Sequence, residues 1–172
     1  MIVAMLFFEP STRTRMSFTS ALARLGGTPI TIDSVEGSSI SKGETLADTV
    51  RVVSGYVDAI VLRHPRDGAA RLASEFASVP VINAGDGAGQ HPSQTLLDLY
   101  TIRQSMPLEG IEIGMLGDLR YGRTAHSLAY ALSHYNATLH TLAPAGLELP
   151  EGLTTELRDR GMKIVEHESV EE

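Results

Sequence analysis

Residues 1–15 read "MIVAMLFFEPSTRTR": an unbroken apolar run stops at a proline and gives way to alternating hydroxyls and arginines. A short apolar run closed by proline is typical of a strand buried on both faces, as in a parallel sheet covered by helices. The run is too short to span a membrane, and no basic segment precedes it as in a signal peptide. We therefore predict a buried strand, a turn at Pro10, a helix, and no membrane partner.

The helix after Pro10 carries an unusual density of hydrogen-bond donors at its start. Ser11 is a candidate N-cap, and two glycines end an apolar face of Met16, Phe18, Leu22 and Leu25. Free backbone N–H groups and the positive end of the helix dipole favour an anion there, and Arg13 adds a planar fork suited to phosphate. We predict an oxyanion site. An ordinary capped helix with solvated arginines is the alternative that these residues alone leave open.

Composition narrows the classes of function. A formal net charge of −7 over 172 residues argues against a general nucleic-acid binder, because such proteins present a basic surface to the phosphate backbone. The absence of cysteine excludes disulfides, thiolate metal sites and a cysteine nucleophile, and it is compatible with the cytoplasm. None of the six histidines lies in an H-E-x-x-H pattern, so we predict no metal.

Strand and helix patterns alternate along the rest of the chain. Predicted strands follow at 28–33, 59–64, 79–84, 111–117, 137–143 and 163–167, and predicted helices at 43–56, 68–77, from Pro92 through Leu96, Leu97 and Tyr100, at 122–135 and at 153–160. Repeated βα units with short links predict an α/β fold with parallel, doubly wound sheets. The stretch "MPLEG" (106–110) is a candidate boundary, which gives domains 1–105 and 106–172.

Ligands of such sheets bind beyond the carboxyl ends of the strands, and polar residues follow several of these ends. The donors after the first strand are joined by Arg63 and His64 after the third, and by His91 and Gln94 after the fourth. Rival motifs fail: "GDGAGQ" lacks the dinucleotide spacing, and neither a Walker lysine motif nor a G-x-S-x-G elbow is present. The pattern therefore predicts phosphate-type and carbonyl-type donors at one sheet edge.

Five stretches, in order along nearly the whole chain, resemble the aspartate carbamoyltransferase family: "FFEPSTRTR", "SSISKGETLADT", "LRHP", "INAGDGAGQHPSQTLLDLYTI" and "GDLRYGRTAHSL". The S-T-R-T and H-P-x-Q motifs are shared with ornithine carbamoyltransferases, whereas K-G-E-T-L and G-D-L-R-Y-G-R-T favour aspartate. The resemblance implies transfer of a carbamoyl group from carbamoyl phosphate to the amino group of L-aspartate. The products would be N-carbamoyl-L-aspartate and phosphate, in pyrimidine biosynthesis and with no cofactor or metal.

The resemblance also implies roles for individual residues. Carbamoyl phosphate would be bound by Ser11, Thr12, Arg13, Thr14, Arg63, His91, Gln94 and, from a neighbouring chain, Ser38. The catalytic residues among them would be Arg13, Thr14, Arg63 and His91. Aspartate would be bound by Lys42, again from a neighbouring chain, and by Arg123. Taken singly, charged residues such as Lys42 and Arg123 are more commonly solvated surface charges, and His91 is compatible with a simple helix cap.

Family chains begin with a helix ahead of the first strand and continue well past "HESVEE". The resemblance therefore implies a near-complete carbamoyl phosphate domain, lacking its N-terminal helix, followed by part of an aspartate domain. The expected assembly is a cytoplasmic homotrimer with shared active sites; a regulatory subunit or a larger multifunctional polypeptide is left open. Two alternatives stay open: a truncated, non-catalytic fragment or paralogue that binds carbamoyl phosphate or assembles with partner subunits, and an ornithine carbamoyltransferase.

Overall fold

A computed structural model describes residues 1–32, 42–87 and 90–170 of the chain. Strands and helices alternate in it as predicted. The strands are β1 (Ile2–Phe7), β2 (Thr28–Ile32), β3 (Ala59–His64), β4 (Val81–Asp86), β5 (Glu112–Leu116), β6 (Thr138–Leu142) and β7 (Lys163–Glu166). The helices are α1 (Thr12–Arg24), α2 (Leu46–Ser54), α3 (Ala69–Phe76), α4 (Pro92–Ser105), α5 (Arg123–Leu132) and α6 (Glu151–Asp159).

The chain divides into two compact units, Met1–Gly89 and Gln90–Glu172. Helix α4 is grouped with the second unit by its contacts, since Leu99 and Ile102 pack against the hydrophobic core of that unit. The predicted domain boundary after residue 105 concerns the family's domains and stays a prediction. Each unit contains one parallel sheet, which confirms the predicted fold class.

The first sheet has the strand order β2-β1-β3-β4, with every pair parallel. Strand β1 is paired on both edges and buried from residue 3 onwards, as its continuous apolar sequence predicts. Its side chains alternate between two cores. Ala4 and Leu6 belong to a core completed by α2 and α3, and Val3, Met5 and Phe7 to a core completed by α1. Helices therefore cover both faces of this sheet.

Two elements of the first unit, β4 and α2, have predicted bounds that are wrong by two or more residues at both ends. Strand β4 lies later than the predicted 79–84, because it stays paired with β3 as far as His64 and Asp86, past a register shift. Helix α2 begins later than the predicted residue 43. Gly43 has a φ of +94°, and the Thr45 hydroxyl caps the helix by accepting from the Asp48 N–H at 3.2 Å.

The predicted apolar face of α1 is only half correct. Leu22 is buried and Phe18 packs against the same core, but Met16 and Leu25 are exposed. Met16 is two positions from Phe18, a rotation of about 200° that places it on the opposite side of the helix. Leu25 is the C-cap, beyond the last helical residue.

The second sheet has the order β5-β6-β7, again all parallel. Its core combines Met115 and Leu139 with side chains of α5 and α6. The apolar residues that marked α4 in the sequence, Leu96, Leu97 and Tyr100, are exposed. None of the helices in the three described ranges is long and apolar enough to cross a membrane.

We expect Leu6→Ala to destabilise the first unit by about 3 kcal/mol, because a fully buried leucine is replaced by a cavity. Leu72→Ala, in a side chain that is 42% exposed on α3, is the matched control and should cost less than about 1 kcal/mol. Hydrogen exchange of the β1 peptide, followed by mass spectrometry, measures the change locally. If the amide hydrogens of β1 were equally protected from exchange in Leu6→Ala and Leu72→Ala, the central position of β1 would be contradicted.

Candidate active site

The N-terminus of α1 follows the carboxyl end of β1, with only Phe8 to Ser11 between them. Ser11 occupies the N-cap position with an extended backbone, but within the described residues its hydroxyl makes no capping hydrogen bond. The first turn contains no acidic residue, and Arg13 is exposed while Thr14 is half-buried. Free N–H groups, a positive dipole end and an accessible guanidinium thus occur together, as an oxyanion site requires.

Arg63 lies at the end of β3, beside Phe7 of the neighbouring strand β1. Its side chain is buried, with 6% of the residue exposed. The Nη1 atom donates to the Ala84 carbonyl oxygen of β4 at 3.2 Å, and Nη2 donates to Glu9 Oε1 at 3.1 Å. One guanidinium therefore links the ends of three adjacent strands.

Glu9 is a site residue that sequence reasoning missed. Its carboxylate forms the ion pair with Arg63, with 29% of its side chain exposed against 8% for Arg63. Burying an arginine without a partner costs several kcal/mol, so the acid immediately before Pro10 allows the charge to sit at the strand ends. Glu9 stands between an apolar run and a proline, and only the fold shows that Arg63, 54 positions later, is its partner.

Asp86 is the second acid that the sequence did not reveal. It is buried at the end of β4, opposite His64 of β3. Its Oδ2 accepts from the Gly68 N–H at 2.9 Å, which ties β4 to the start of α3, and its Oδ1 accepts from Asn83 Nδ2 at 2.9 Å. Asp86 therefore holds the strand ends in place through two uncharged donors.

His64 packs edge-on against the ring of Phe8, with the ring centroids 5.7 Å apart. Its Nδ1 accepts from the Arg66 N–H at 3.0 Å, which places the ring proton of the neutral form on Nε2. Burial, followed by the charge of Arg66, lowers the pKa of His64 below 6.5, against smaller opposing effects of Asp86 and Glu9. The neutral ring is thus the favoured form at this strand end.

The two residues expected to serve a neighbouring chain precede α2. Lys42 is exposed in a short turn, which is compatible with both a partner-facing role and a solvated charge. Ser38 lies outside the described residues.

In the second unit, His91 is the N-cap of α4 and is buried. Its Nδ1 lies 3.4 Å from the Gln94 backbone nitrogen, which donates to it, so the ring proton of the neutral form is on Nε2. The capping interpretation of His91 is therefore correct, and it leaves the ring in the tautomer that can donate from Nε2. The side-chain amide of Gln94 donates to Asp98 Oδ1 at 2.9 Å, one turn further along α4.

Ser127 links His91 to the helix that carries Arg123. Its hydroxyl oxygen accepts from the His91 N–H at 2.8 Å and lies 2.9 Å from the carbonyl oxygen of Arg123, the first residue of α5. Gln90 Oε1 is a second acceptor, at 2.8 Å. The buried hydroxyl thus brings two predicted site segments together. No sequence pattern indicates this role of Ser127, since serine within a helix is ordinary.

The turn before Arg123 is built by Asp118, whose Oδ1 accepts from the N–H groups of Arg120 and Tyr121 at 3.1 and 3.0 Å. Gly122 completes the turn. A Cβ at that position would approach the Asp118 carbonyl oxygen to 2.7 Å, so a side chain cannot be added without moving the backbone. The G-D-L-R-Y-G-R-T stretch therefore fixes where α5 begins.

Metal-ligating side chains do not cluster in threes or more anywhere in residues 1–32, 42–87 and 90–170. The candidate site residues supply hydrogen-bond donors and guanidinium groups, which suit phosphate, carbonyl and carboxylate oxygens.

Comparison with known proteins matches residues 1–104 to the family model described as aspartate/ornithine carbamoyltransferase, carbamoyl-P binding domain. The chain is 78% identical to the aspartate carbamoyltransferase catalytic subunit of Methanoculleus marisnigri and 76% identical to that of Methanosphaerula palustris. Both alignments cover 99% of this chain but only 57% of the relative. The chain thus spans little more than half the length of these curated relatives.

Solved structures show the same similarity. The catalytic subunit of M. jannaschii aspartate transcarbamoylase matches with a TM-score of 0.89 and 55% identity, over 99% of this chain and 56% of that one. Aspartate transcarbamoylase from Trypanosoma cruzi, in complex with carbamoyl phosphate and aspartate, matches with a TM-score of 0.90 and 42% identity. That alignment covers 98% of this chain and 55% of the T. cruzi chain.

The lowered pKa of His64 predicts a pH dependence of stability. Below pH 6.5 the unfolded chain binds a proton at this histidine that the folded chain resists, so the free energy of unfolding falls as the pH falls. We expect His64→Gln to lose less stability than the wild type between about pH 7 and about pH 5, measured by urea unfolding at each pH. His134→Gln, at an exposed histidine, is the control. If the free energy of unfolding changed equally with pH in the wild type and in His64→Gln, His64 would not be the source of the pH dependence.

Proposed function

The chain belongs to the aspartate/ornithine carbamoyltransferase family, and from this premise we propose that it transfers the carbamoyl group of carbamoyl phosphate to the amino group of L-aspartate. The observation that carries the proposal is the donor set at the ends of β1 and β3, within the 1–104 match to the carbamoyl phosphate-binding domain. The products would be N-carbamoyl-L-aspartate and phosphate, as in de novo pyrimidine biosynthesis.

The phosphate of the substrate is assigned to the start of α1. Ser11, Thr12 and Thr14 supply hydroxyl and backbone donors there, and Arg13 supplies a guanidinium that can meet two phosphate oxygens at once. The positive end of the α1 dipole adds to the attraction and is oriented before the ligand arrives. The acid-free first turn supports this assignment, because a carboxylate at that position would compete with the phosphate.

The carbamoyl oxygen is assigned to Thr14, Arg63 and His91, and the carbamoyl amino group to Gln94. Attack by the amine of aspartate turns the carbonyl oxygen into an oxyanion on a tetrahedral carbon, and the C–O bond to phosphate then breaks. Donors fixed in advance stabilise this charge without reorganising. The buried guanidinium of Arg63 and the Nε2–H of His91 have the chemistry that this role requires.

The second substrate is assigned to Arg123 and Lys42, whose positive charges suit the carboxylates of aspartate. Arg123 is the first residue of α5, held there by the Asp118 turn and Gly122. We further propose a cytoplasmic homotrimer in which Ser38 and Lys42 serve the site of a neighbouring chain. Binding to a regulatory subunit and inclusion in a larger polypeptide stay open.

A second candidate function follows from the family match, which covers the carbamoyl phosphate-binding domain over residues 1–104. The alternative is therefore a module that binds carbamoyl phosphate, or assembles with partner subunits, without turnover.

The primary assay is formation of carbamoyl aspartate from carbamoyl phosphate and aspartate, with ornithine as the competing acceptor. We expect aspartate-specific product, and a loss of about a hundredfold or more in Arg13→Ala, because that change removes a charged donor from the phosphate. Arg24→Ala, in the last turn of the same helix, is the matched control and should stay active. Carbamoyl phosphate binding without product would support the binding module, and ornithine-specific product would overturn the assignment to aspartate.

A second set of variants separates the catalytic role of Arg63 from its structural one. Arg63→Ala leaves the Glu9 carboxylate without its ion-pair partner and is expected to destabilise the fold. The double variant Glu9→Gln with Arg63→Gln removes both charges and keeps similar side-chain volumes, so we expect it to fold. Its carbamoyl transfer should nevertheless fall by about a hundredfold or more, since the charged donor is gone. Turnover and affinity for carbamoyl phosphate close to wild type in this folded variant would remove Arg63 from the mechanism.

A further inference from the structure

Two consecutive residues at the end of β3 contact the turn that leads into α1. We call residues 8–11 turn 8–11. The Phe8 N–H donates to the Arg63 carbonyl oxygen at 2.9 Å, which continues the pairing of β1 with β3 by one residue. Glu9 then forms its ion pair with Arg63, and the ring of Phe8 contacts the ring of His64. Consecutive residues of the turn therefore meet consecutive residues of the strand.

The two side-chain contacts lie on opposite faces of the first sheet. Leu62, two positions before His64, belongs to the core that α2 and α3 complete, and Phe8 packs against the same core. Because side chains alternate along a strand, the side chain of Arg63 lies on the other face, where it meets Glu9. His64 therefore supports turn 8–11 from the face that the ion pair does not reach.

The ring of His64 is fixed by contacts within its own strand end. Its Nδ1 accepts from the Arg66 N–H at 3.0 Å, and its carbonyl oxygen accepts from the Gly87 N–H, beyond β4, at 2.9 Å. The ring meets Phe8 edge to face, with centroids 5.7 Å apart and planes inclined by 77°, which is a preferred geometry of aromatic pairs. His64 is thus the fixed member of this contact, and the position of Phe8 depends on it.

A shift of Phe8 would be transmitted to the start of α1. Pro10 has a restricted φ, which limits how far turn 8–11 can adjust between Phe8 and the helix. Donors that bind one anion together must all lie within hydrogen-bond distance at once, so a small displacement weakens several bonds at the same time.

From these contacts we propose that His64 is a positioning residue of the phosphate site: through the ring of Phe8 it fixes turn 8–11, and with it the donors of Ser11 and the first turn of α1. The proposal rests on the assignment of phosphate to the start of α1 made above. His64 does not touch the substrate in this role. The role depends on the aromatic ring and not on an imidazole nitrogen, so His64→Phe should preserve it.

The test is titration of the whole chain with inorganic phosphate at constant pH, followed through the amide signals of Thr12, Arg13 and Thr14 by nuclear magnetic resonance. In the wild type these signals should shift and saturate, which gives the dissociation constant of phosphate at this site. Arg13→Ala should weaken binding and so establishes where the phosphate is bound.

Two substitutions separate the two contacts of the His64 ring. The side-chain oxygen of asparagine can accept from the N–H two residues later, so His64→Asn keeps the bond to Arg66 but loses the ring. We expect the dissociation constant of phosphate to rise about fivefold in this variant. His64→Phe loses the bond to Arg66 but keeps the ring, and its dissociation constant should stay within about twofold of the wild type.

A double-mutant cycle tests whether His64 acts through Phe8. Phe8→Leu removes the partner ring and should weaken binding as His64→Asn does. Adding His64→Asn to Phe8→Leu should then cause little further loss, whereas independent effects would multiply. Val57→Ala is the control, because it removes buried methyl groups from the same core at the opposite end of β3 and should bind phosphate as the wild type does.

The proposal is overturned if His64→Asn binds phosphate as the wild type does, if the losses multiply in the double variant, or if Val57→Ala loses as much affinity. Each of these outcomes, with normal responses of the wild type and Arg13→Ala, removes only the role of His64. If the signals of Thr12 to Thr14 do not respond to phosphate in the wild type, the assignment of phosphate to α1 fails, and this inference fails with it. Should His64→Asn not fold, the proposal requires that Phe8→Leu alone weakens binding and that His64→Phe does not.

Discussion

Burial of β1 on both faces and along both edges is the constraint on which the first unit depends. Paired with β2 and β3 and covered by α1 on one side and by α2 and α3 on the other, this strand has no room for a polar side chain until it ends. The first polar side chains after β1 therefore lie in the turn from Phe8 to Ser11. The carboxyl ends of neighbouring parallel strands lie at the same edge, so the turn after β1 meets the end of β3 in the Glu9–Arg63 ion pair, although the two residues are far apart in the sequence.

The Glu9–Arg63 pair shows the cost of placing charge at this edge. A guanidinium that is nearly buried loses most of its hydration, and the carboxylate at 3.1 Å together with the Ala84 carbonyl compensates for that loss. The same contacts restrict where the guanidinium can point. A rigid donor is useful for stabilising charge that develops during a reaction, whereas a solvated arginine would have to be reordered each time.

In the second unit, uncharged groups restrict the positions of the candidate site residues. The Ser127 hydroxyl joins the backbone of His91 to the first turn of α5, and the ring of His91 caps its own helix. Capping fixes the tautomer of His91, so one local hydrogen bond determines what the ring can donate. Glycine at position 122 and the Asp118 turn fix the start of α5 in the same way, through backbone geometry. Positioning in this unit thus depends on short polar contacts near helix starts.

The sequence by itself determined the order and type of the helices and strands. Apolar periodicity, and the prolines and glycines that end each element, are local properties of the chain. It also determined the family, because the motifs occur together and in order. Only the tertiary structure decided the rest. Partners such as Glu9 with Arg63, or Phe8 with His64, lie far apart in the chain and meet through strand pairing. The end of β4 and the exposed sides of α1 and α4 depend likewise on which neighbours each element finds, and no local pattern records those neighbours.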